Sequence, residues 1–238
     1  MRVSRKDFGL YMVSRIVVWN LLHRSAAALG WGVASYREPT RVATMRTIRQ
    51  IKRRRDMNIT PLEAYQLFSL VRATAKLGGS MAEVGVYRGG SARVIREADA
   101  SRSLHLFDTF EGLPETEEID TAVRRVHYRK GQLAYPLEAV KNYLADCDDV
   151  YFHPGVFPTT GEDVKNEKFS FVHADVDIYS STRSVLEFFY PRLLRGGTLI
   201  SHDYVTSRGP REAIEEFFKD LPEPVIELPG DQAMIVKL

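Results

Sequence analysis

The sequence predicts an alternating α/β fold built on a mostly parallel sheet. Three observations predict it. Short apolar runs recur at MAEVGV, LHLFD, DVYFHPG, FSFVHAD and TLISHD, and the last four close on polar or acidic groups, as buried parallel strands do when their carboxyl ends carry function. Helical patterns separate them at SARVIREAD, PLEAVKNYLAD, STRSVLEFFYPRLL and GPREAIEEFFKDL. The final runs, PVIELP and AMIVKL, are joined by a connection too short for a parallel crossover. They form a hairpin, so the sheet ends on an antiparallel strand.

The first helix of this body is read at ITPLEAYQLFSLVRATAKLGG, with Thr60-Pro61 as its start signal and Gly78-Gly79 as its stop. The 238 residues, 44% hydrophobic and 27% charged, exclude wholesale disorder, collagen-like repeats and a multi-span membrane protein. The single cysteine, Cys147, has no disulfide partner in the chain and no CxxC companion.

The net charge of +2 is unevenly distributed. Residues 1–55 carry 13 Lys/Arg against 2 Asp/Glu, a balance of +11, whereas residues 56–238 carry 20 against 29, a balance of −9. Residues 1–57 therefore read as a basic helical arm and residues 58–238 as a separate, mildly acidic body. In the arm, Phe8, Tyr11, Met12, Ile16, Trp19 and Leu22 recur at helical spacing. Arg15 interrupts the run, and an arginine at the centre of a membrane helix costs about 2.5 to 3.5 kcal/mol. The stretch is also shorter than the ~20 residues a span requires, so neither a transmembrane helix nor a cleaved secretory signal is expected. The apolar stripe is expected to pack on the body or on a second subunit in a homo-oligomer such as a dimer, or to lie on a membrane surface. A cytoplasmic protein, with peripheral membrane association as the alternative, follows. Arg53, Arg54 and Arg55 lack interleaved aromatics and a reading motif, so no nucleic-acid partner is expected.

Two patterns carry chemistry. EVGVYRGGS falls between a strand and a helix, where Gly85, Gly89 and Gly90 permit a sharp turn close to a ligand and Ser91 is placed to cap the helix. It is neither GxGxxG nor a P-loop. Asp108 ends the next strand, where a doubly wound fold puts the carboxylate that binds ribose hydroxyls. A glycine turn and a ribose acid without a pyrophosphate motif point to a nucleoside ligand without phosphates, of which S-adenosylmethionine is the natural candidate. The second pattern is Asp175 and Asp177 after one strand and His202-Asp203 after the next. Carboxylates converging in a cleft require a cation or a proton between them; oxygen ligation favours Mg²⁺, while His202 favours Mn²⁺, Fe²⁺ or Zn²⁺. In the alternative, Asp177 caps the next helix and Asp203 caps a loop.

EVGVYRGGS, LFDTFEGLPE, PGVFPTT, FVHADVDIYSST, PRLLRGGTLISHDY and RGPREAIEEFF, in that order, resemble the macrocin O-methyltransferase (TylF-type) family of class I, S-adenosylmethionine-dependent sugar O-methyltransferases. The resemblance covers residues 58–238. It implies a Rossmann-like seven-stranded sheet with an antiparallel C-terminal strand, and a cofactor site drawn from Glu83, Gly85, Tyr87, Gly89, Ser91, Asp108, Thr109 and Phe110. It further implies a metal and acceptor site in which Asp175, His202 and Asp203 are the ligands and Asp175, Asp177 and His202 the catalytic groups, with Asp177 and His202 both candidates for taking the proton. One departure is evident: the family usually has two consecutive aspartates where this chain has His202-Asp203. The expected reaction is methylation of a hydroxyl on a sugar, glycosylated natural product or saccharide. Two other classes fit some of the residues, a metal-dependent glycosyltransferase using Asp175-Val176-Asp177 and a non-catalytic adaptor using the arm.

Overall fold

A computed structural model describes residues 38–122 and 126–238, together with residues 18, 20–22, 24–26 and 28. The chain forms two compact units, Met1–Val42 and Ala43–Leu238. Phe8, Tyr11, Met12, Ile16 and Trp19 lie outside the described residues, and with them the expected contacts of the arm. No helix among the described residues is long and apolar enough to cross a membrane.

Helix α1, Pro39–Arg54, buries Met45, Ile48 and Ile51, the three-residue spacing that puts one apolar stripe on one face. Helix α2, Pro61–Thr74, starts where Thr60-Pro61 predicts. Thr60 accepts a hydrogen bond from the Glu63 N–H, and the Glu63 carboxylate accepts one from the Thr60 N–H, a reciprocal capping box. Strand β1, Ser80–Val84, then feeds α3, Gly90–Ala98, and strand β2, Leu104–Asp108. A two-stranded ribbon, β3 (Thr121–Ala122) and β4 (Val126–His127), was not foreseen because its strands are too short to show a period. The remaining elements are α4 (Leu137–Tyr143), β5 (Val150–Pro154), β6 (Phe169–Ala174), α5 (Tyr179–Phe189), β7 (Leu193–Ser201), α6 (Arg208–Phe218), β8 (Ile226–Glu227) and β9 (Ala233–Val236).

Seven strands form one sheet in the order β5-β2-β1-β6-β7-β9-β8. The first five are mutually parallel, and β9 runs antiparallel to both β7 and β8. Strand β6 is buried at every position, which explains its unbroken apolar run. Phe189 of α5 meets Phe169 of β6 edge-to-face at 4.9 Å between centroids and seals the helix layer onto the sheet. The strand order reverses between β1 and β6, so the loops that follow them diverge and leave a crevice at the carboxyl edge.

Gly85 lies at the floor of that crevice with φ +88°, and a Cβ there would stand 1.7 Å from the Asp175 carbonyl oxygen. Gly78 has φ +66° but nothing within 4 Å of its Cβ position. Gly85→Ala is therefore expected to destabilise the protein by ~3 kcal/mol, combining a left-handed backbone with overpacking. Gly78→Ala is expected to cost only about 1 kcal/mol. Chemical denaturation of the two variants separates these, and equal losses would contradict the close approach of the β1 and β6 loops.

Candidate active site

The turn after β1 and the ends of β2, β6 and β7 wall a single cavity of about 330 Å³. Of the residues the sequence assigns to a cofactor, Gly85, Tyr87, Ser91, Asp108 and Thr109 line it. So do Asp175, Asp177, His202 and Asp203 from the other pattern. Glu83, Gly89 and Phe110 are not among the lining residues. Glu83 is fully buried, with its Oε1 2.8 Å from Nδ1 of His173, its register partner on β6. Burial raises the Glu83 carboxyl, although His173 works against that. Gly89 takes the N-cap of α3 in a left-handed conformation, so the capping role expected of Ser91 is not used; Ser91 lies one step inside the helix. Only a residue tolerating positive φ fits that cap.

Asp108 has a role the sequence does not reveal. Its Oδ2 accepts hydrogen bonds from the N–H groups of Val86 (2.7 Å) and Tyr87 (2.8 Å), and its Oδ1 accepts one from Phe110 (2.7 Å). The carboxylate thus fastens the glycine turn to the end of β2. Tyr87 and Phe110 have φ of 50° and 58°, and Asp177 and Asp203 have 61° and 62°. Each left-handed non-glycine residue costs roughly 1 kcal/mol, and these four follow β1, β2, β6 and β7. The unfavourable backbone is concentrated around the cavity, as it is at many functional sites.

The alternative in which Asp177 caps α5 is overturned. The Tyr179 N–H at the start of α5 donates instead to Oδ1 of Asp120 at 2.8 Å, while Oδ2 of Asp120 accepts the Glu117 N–H. Asp120, 1% exposed, escaped sequence reasoning because it caps a helix 59 positions away. Asp177 is left facing the cavity. Burial and the charges of Asp203 and Asp175 push its carboxyl well above the usual range.

His202 is the hub of the acidic side. Its Nδ1 lies 3.3 Å from Oδ1 of Asp203 and 3.4 Å from Oδ1 of Asp175; its Nε2 lies 3.7 Å from Oε2 of Glu63. Burial lowers the imidazole pKa, but Asp175, Asp203 and Glu63 outweigh it and the net direction is strongly upward. Burial likewise raises the Asp175 carboxyl, yet the His202 charge brings it below its ordinary value. Asp203 is pushed up to about 6, with burial as the largest cause. Asp175, His202 and Asp203 each offer a ligand atom within 4.8 Å of the others, and Oδ2 of Asp203 is buried without a hydrogen-bond partner. That donor set fits one divalent cation.

Glu63 was read only as part of a helix. Thr60-x-x-Glu63 is a capping-box signature, but nothing local shows that the same carboxylate accepts the Asp231 N–H at 2.8 Å and faces His202. Burial alone would raise its carboxyl; the nearby His202 and the hydrogen bonds from Thr60 and Asp231 bring it down to about 2. A lowered carboxyl stabilises the fold above its unfolded value near 4.5 and loses that contribution as pH falls toward 2. Acid unfolding followed by near-ultraviolet circular dichroism is expected to show a component in this window that Glu63→Gln lacks, and superimposable acid limbs would refute it.

A reversed parallel sheet with a glycine turn at its switch point, an acid after the second strand and one antiparallel strand near the edge defines a Rossmann-like class I methyltransferase fold. The chain belongs to the macrocin-O-methyltransferase (TylF) family, whose model matches residues 65–234. It is 34% identical over 166 residues to the 8-demethyl-8-(2,3-dimethoxy-alpha-L-rhamnosyl)-tetracenomycin-C 4'-O-methyltransferase of Streptomyces olivaceus, covering 64% of this chain and 63% of that protein. It is 30% identical over 151 residues to the demethyldecarbamoylnovobiocin O-methyltransferase of Streptomyces niveus, covering 58% of each. The chain thus spans less than two thirds of the length of these curated relatives. The structure of the O-methyltransferase NovP superposes with a TM-score of 0.63 at 25% identity, over 74% of this chain and 79% of that one. An O-methyltransferase from Bacillus cereus in complex with SAH shares the fold at 15% identity and a TM-score of 0.55, over 93% of this chain and 100% of its own.

Proposed function

We propose that this chain is an S-adenosylmethionine-dependent O-methyltransferase that methylates a hydroxyl of a sugar or glycosylated natural product, with help from a divalent cation. The observation that carries the proposal is the single cavity that the Asp108-fastened glycine turn and the Asp175, Asp177, His202 and Asp203 cluster both wall. A donor at the turn and an acceptor at the cluster would meet inside it. Family membership and the names of the two curated relatives, both O-methyltransferases, support the reading and favour it over a glycosyltransferase using Asp175-Val176-Asp177.

S-adenosylmethionine, when bound, would supply a sulfonium methyl for in-line transfer to the acceptor oxygen, with its sulfur as the leaving group. The chain's task is alignment and proton removal. Asp108 holds the turn in shape, and Gly85 lets the backbone of Asp175 approach it. Asp175, His202 and Asp203 would hold the cation, which when bound lowers the pKa of a coordinated hydroxyl and orients it. Asp177 accepts the hydroxyl proton in this reading. It is the cavity-lining carboxylate of the cluster that is not assigned to the cation, whereas both ring nitrogens of His202 already face carboxylates.

Calorimetry with S-adenosylhomocysteine beside UDP- and GDP-sugars tests the class of reaction. Binding of the first and not of the others is expected, and the reverse pattern would sink the proposal. Asp177→Asn is expected to lower turnover by roughly 10² to 10⁴-fold while S-adenosylhomocysteine still binds; Asp108→Ala is expected to lose that binding first, because the turn is unfastened. An Asp177→Asn enzyme with normal turnover would remove Asp177 from the chemistry.

A further inference from the structure

The two ring nitrogens of His202 face different surroundings. On one side, Nδ1 lies between oxygens of Asp175 and Asp203, at 3.4 and 3.3 Å. Both separations exceed the ~2.7 to 2.9 Å of a charge-assisted hydrogen bond, and Oδ2 of the buried Asp203 has no partner. On the other side, Nε2 has no hydrogen-bond partner, and the carboxylate that faces it is Glu63, whose Oε2 lies 3.7 Å away. Glu63 is 3% exposed and cannot swing away. Its Oε2 accepts the Thr60 N–H at 2.6 Å and its Oε1 accepts the Asp231 N–H at 2.8 Å. Gly230, beside Asp231, is the residue that allows this approach, since a Cβ there would stand 2.5 Å from Oε1 of Glu63.

To take a cation, His202 must give up one of its ring protons, leaving a neutral imidazole with one N–H and one lone pair. With the cation on the side of the two aspartates and a fixed carboxylate on the Nε2 side, the proton given up is that of Nδ1, and Nε2 keeps its N–H. Metal-bound histidines commonly donate their second ring N–H to such a carboxylate, which fixes the tautomer and raises the basicity of the ligating nitrogen.

Resting on the cation-assisted reading above, we infer that Glu63 is a positioning residue that holds His202 in the Nε2–H tautomer, so that Nδ1 joins Asp175 and Asp203 in an N,O,O set selective for a first-row transition ion over Mg²⁺. Imidazole nitrogen is a better donor to such ions than to Mg²⁺, which prefers oxygen alone. Glu63 is not among the residues that line the cavity, and in this inference it acts through His202.

The test is the binding of Co²⁺ and of Mg²⁺ to the full chain with S-adenosylhomocysteine present, read by calorimetry and, for Co²⁺, by its ligand-sensitive visible absorption. The wild-type protein is expected to bind Co²⁺ more than about tenfold tighter than Mg²⁺. Glu63→Gln is expected to weaken Co²⁺ by roughly 10- to 100-fold and to change the visible band. His202→Asp is expected to lose the preference, and Glu63→Gln added to His202→Asp is expected to have almost no further effect on Co²⁺. That non-additivity separates a role through His202 from a merely structural one. Where Glu63→Gln unfolds, Glu63→Asp, which keeps the charge but withdraws it from the ring, is read in the same way. Equal wild-type affinities for the two ions, no binding of either, or an equal Glu63→Gln loss in both backgrounds overturns the inference. Failure of the wild-type protein to bind S-adenosylhomocysteine would instead overturn the methyltransferase reading.

Discussion

Carboxylates brought together in a buried cleft repel one another unless positive charge or a proton lies between them. In this protein that constraint is met at His202. Asp175 and Asp203 crowd one edge of its ring and Glu63 faces the other, and the surrounding structure is arranged to hold those three acids in place. Asp175 follows β6, Asp203 follows β7, and Glu63 is held in the first turn of α2 by its capping box and by the Asp231 N–H. The hairpin that makes the last strand antiparallel thus also delivers a backbone donor to the site.

A second constraint joins the acidic cluster to the glycine turn. Strands β1 and β6 are neighbours at the point where the strand order reverses. The backbone after β1 can touch the backbone after β6 only if it lacks a Cβ, which accounts for Gly85. Asp108 then ties the same turn to β2 through two backbone N–H groups, those of Val86 and Tyr87. Four left-handed non-glycine residues mark where the chain leaves these strands. Their unfavourable conformations persist because sheet pairing and buried hydrogen bonds hold the backbone on both sides.

Much of the fold was legible in the sequence. Strands β1, β2 and β6 read as short apolar runs because both of their faces are buried, the edge strand β5 read by the same kind of run although it is partly exposed, and the helices read by their period because only one face is buried. The short connection between β8 and β9 sufficed for the antiparallel end. The ribbon of β3 and β4 was not legible, since two-residue strands carry no periodicity.

The sequence by itself determined which residues stand at the strand ends where a site is expected, because a strand end is a local feature: Gly85, Asp108, Asp175, Asp177, His202 and Asp203 all stand where an apolar run stops. The tertiary structure decided what each of them touches. Asp108 proved to be a backbone clasp, Glu83 a buried partner of His173, and Asp177 free of the helix that Asp120 caps from 59 positions away. Glu63, 139 residues before His202 in the chain, became its nearest carboxylate on the Nε2 side. Hydrogen bonds and charge pairs act over a few ångströms, and that proximity is set by the sheet order rather than by any pattern local to the residues.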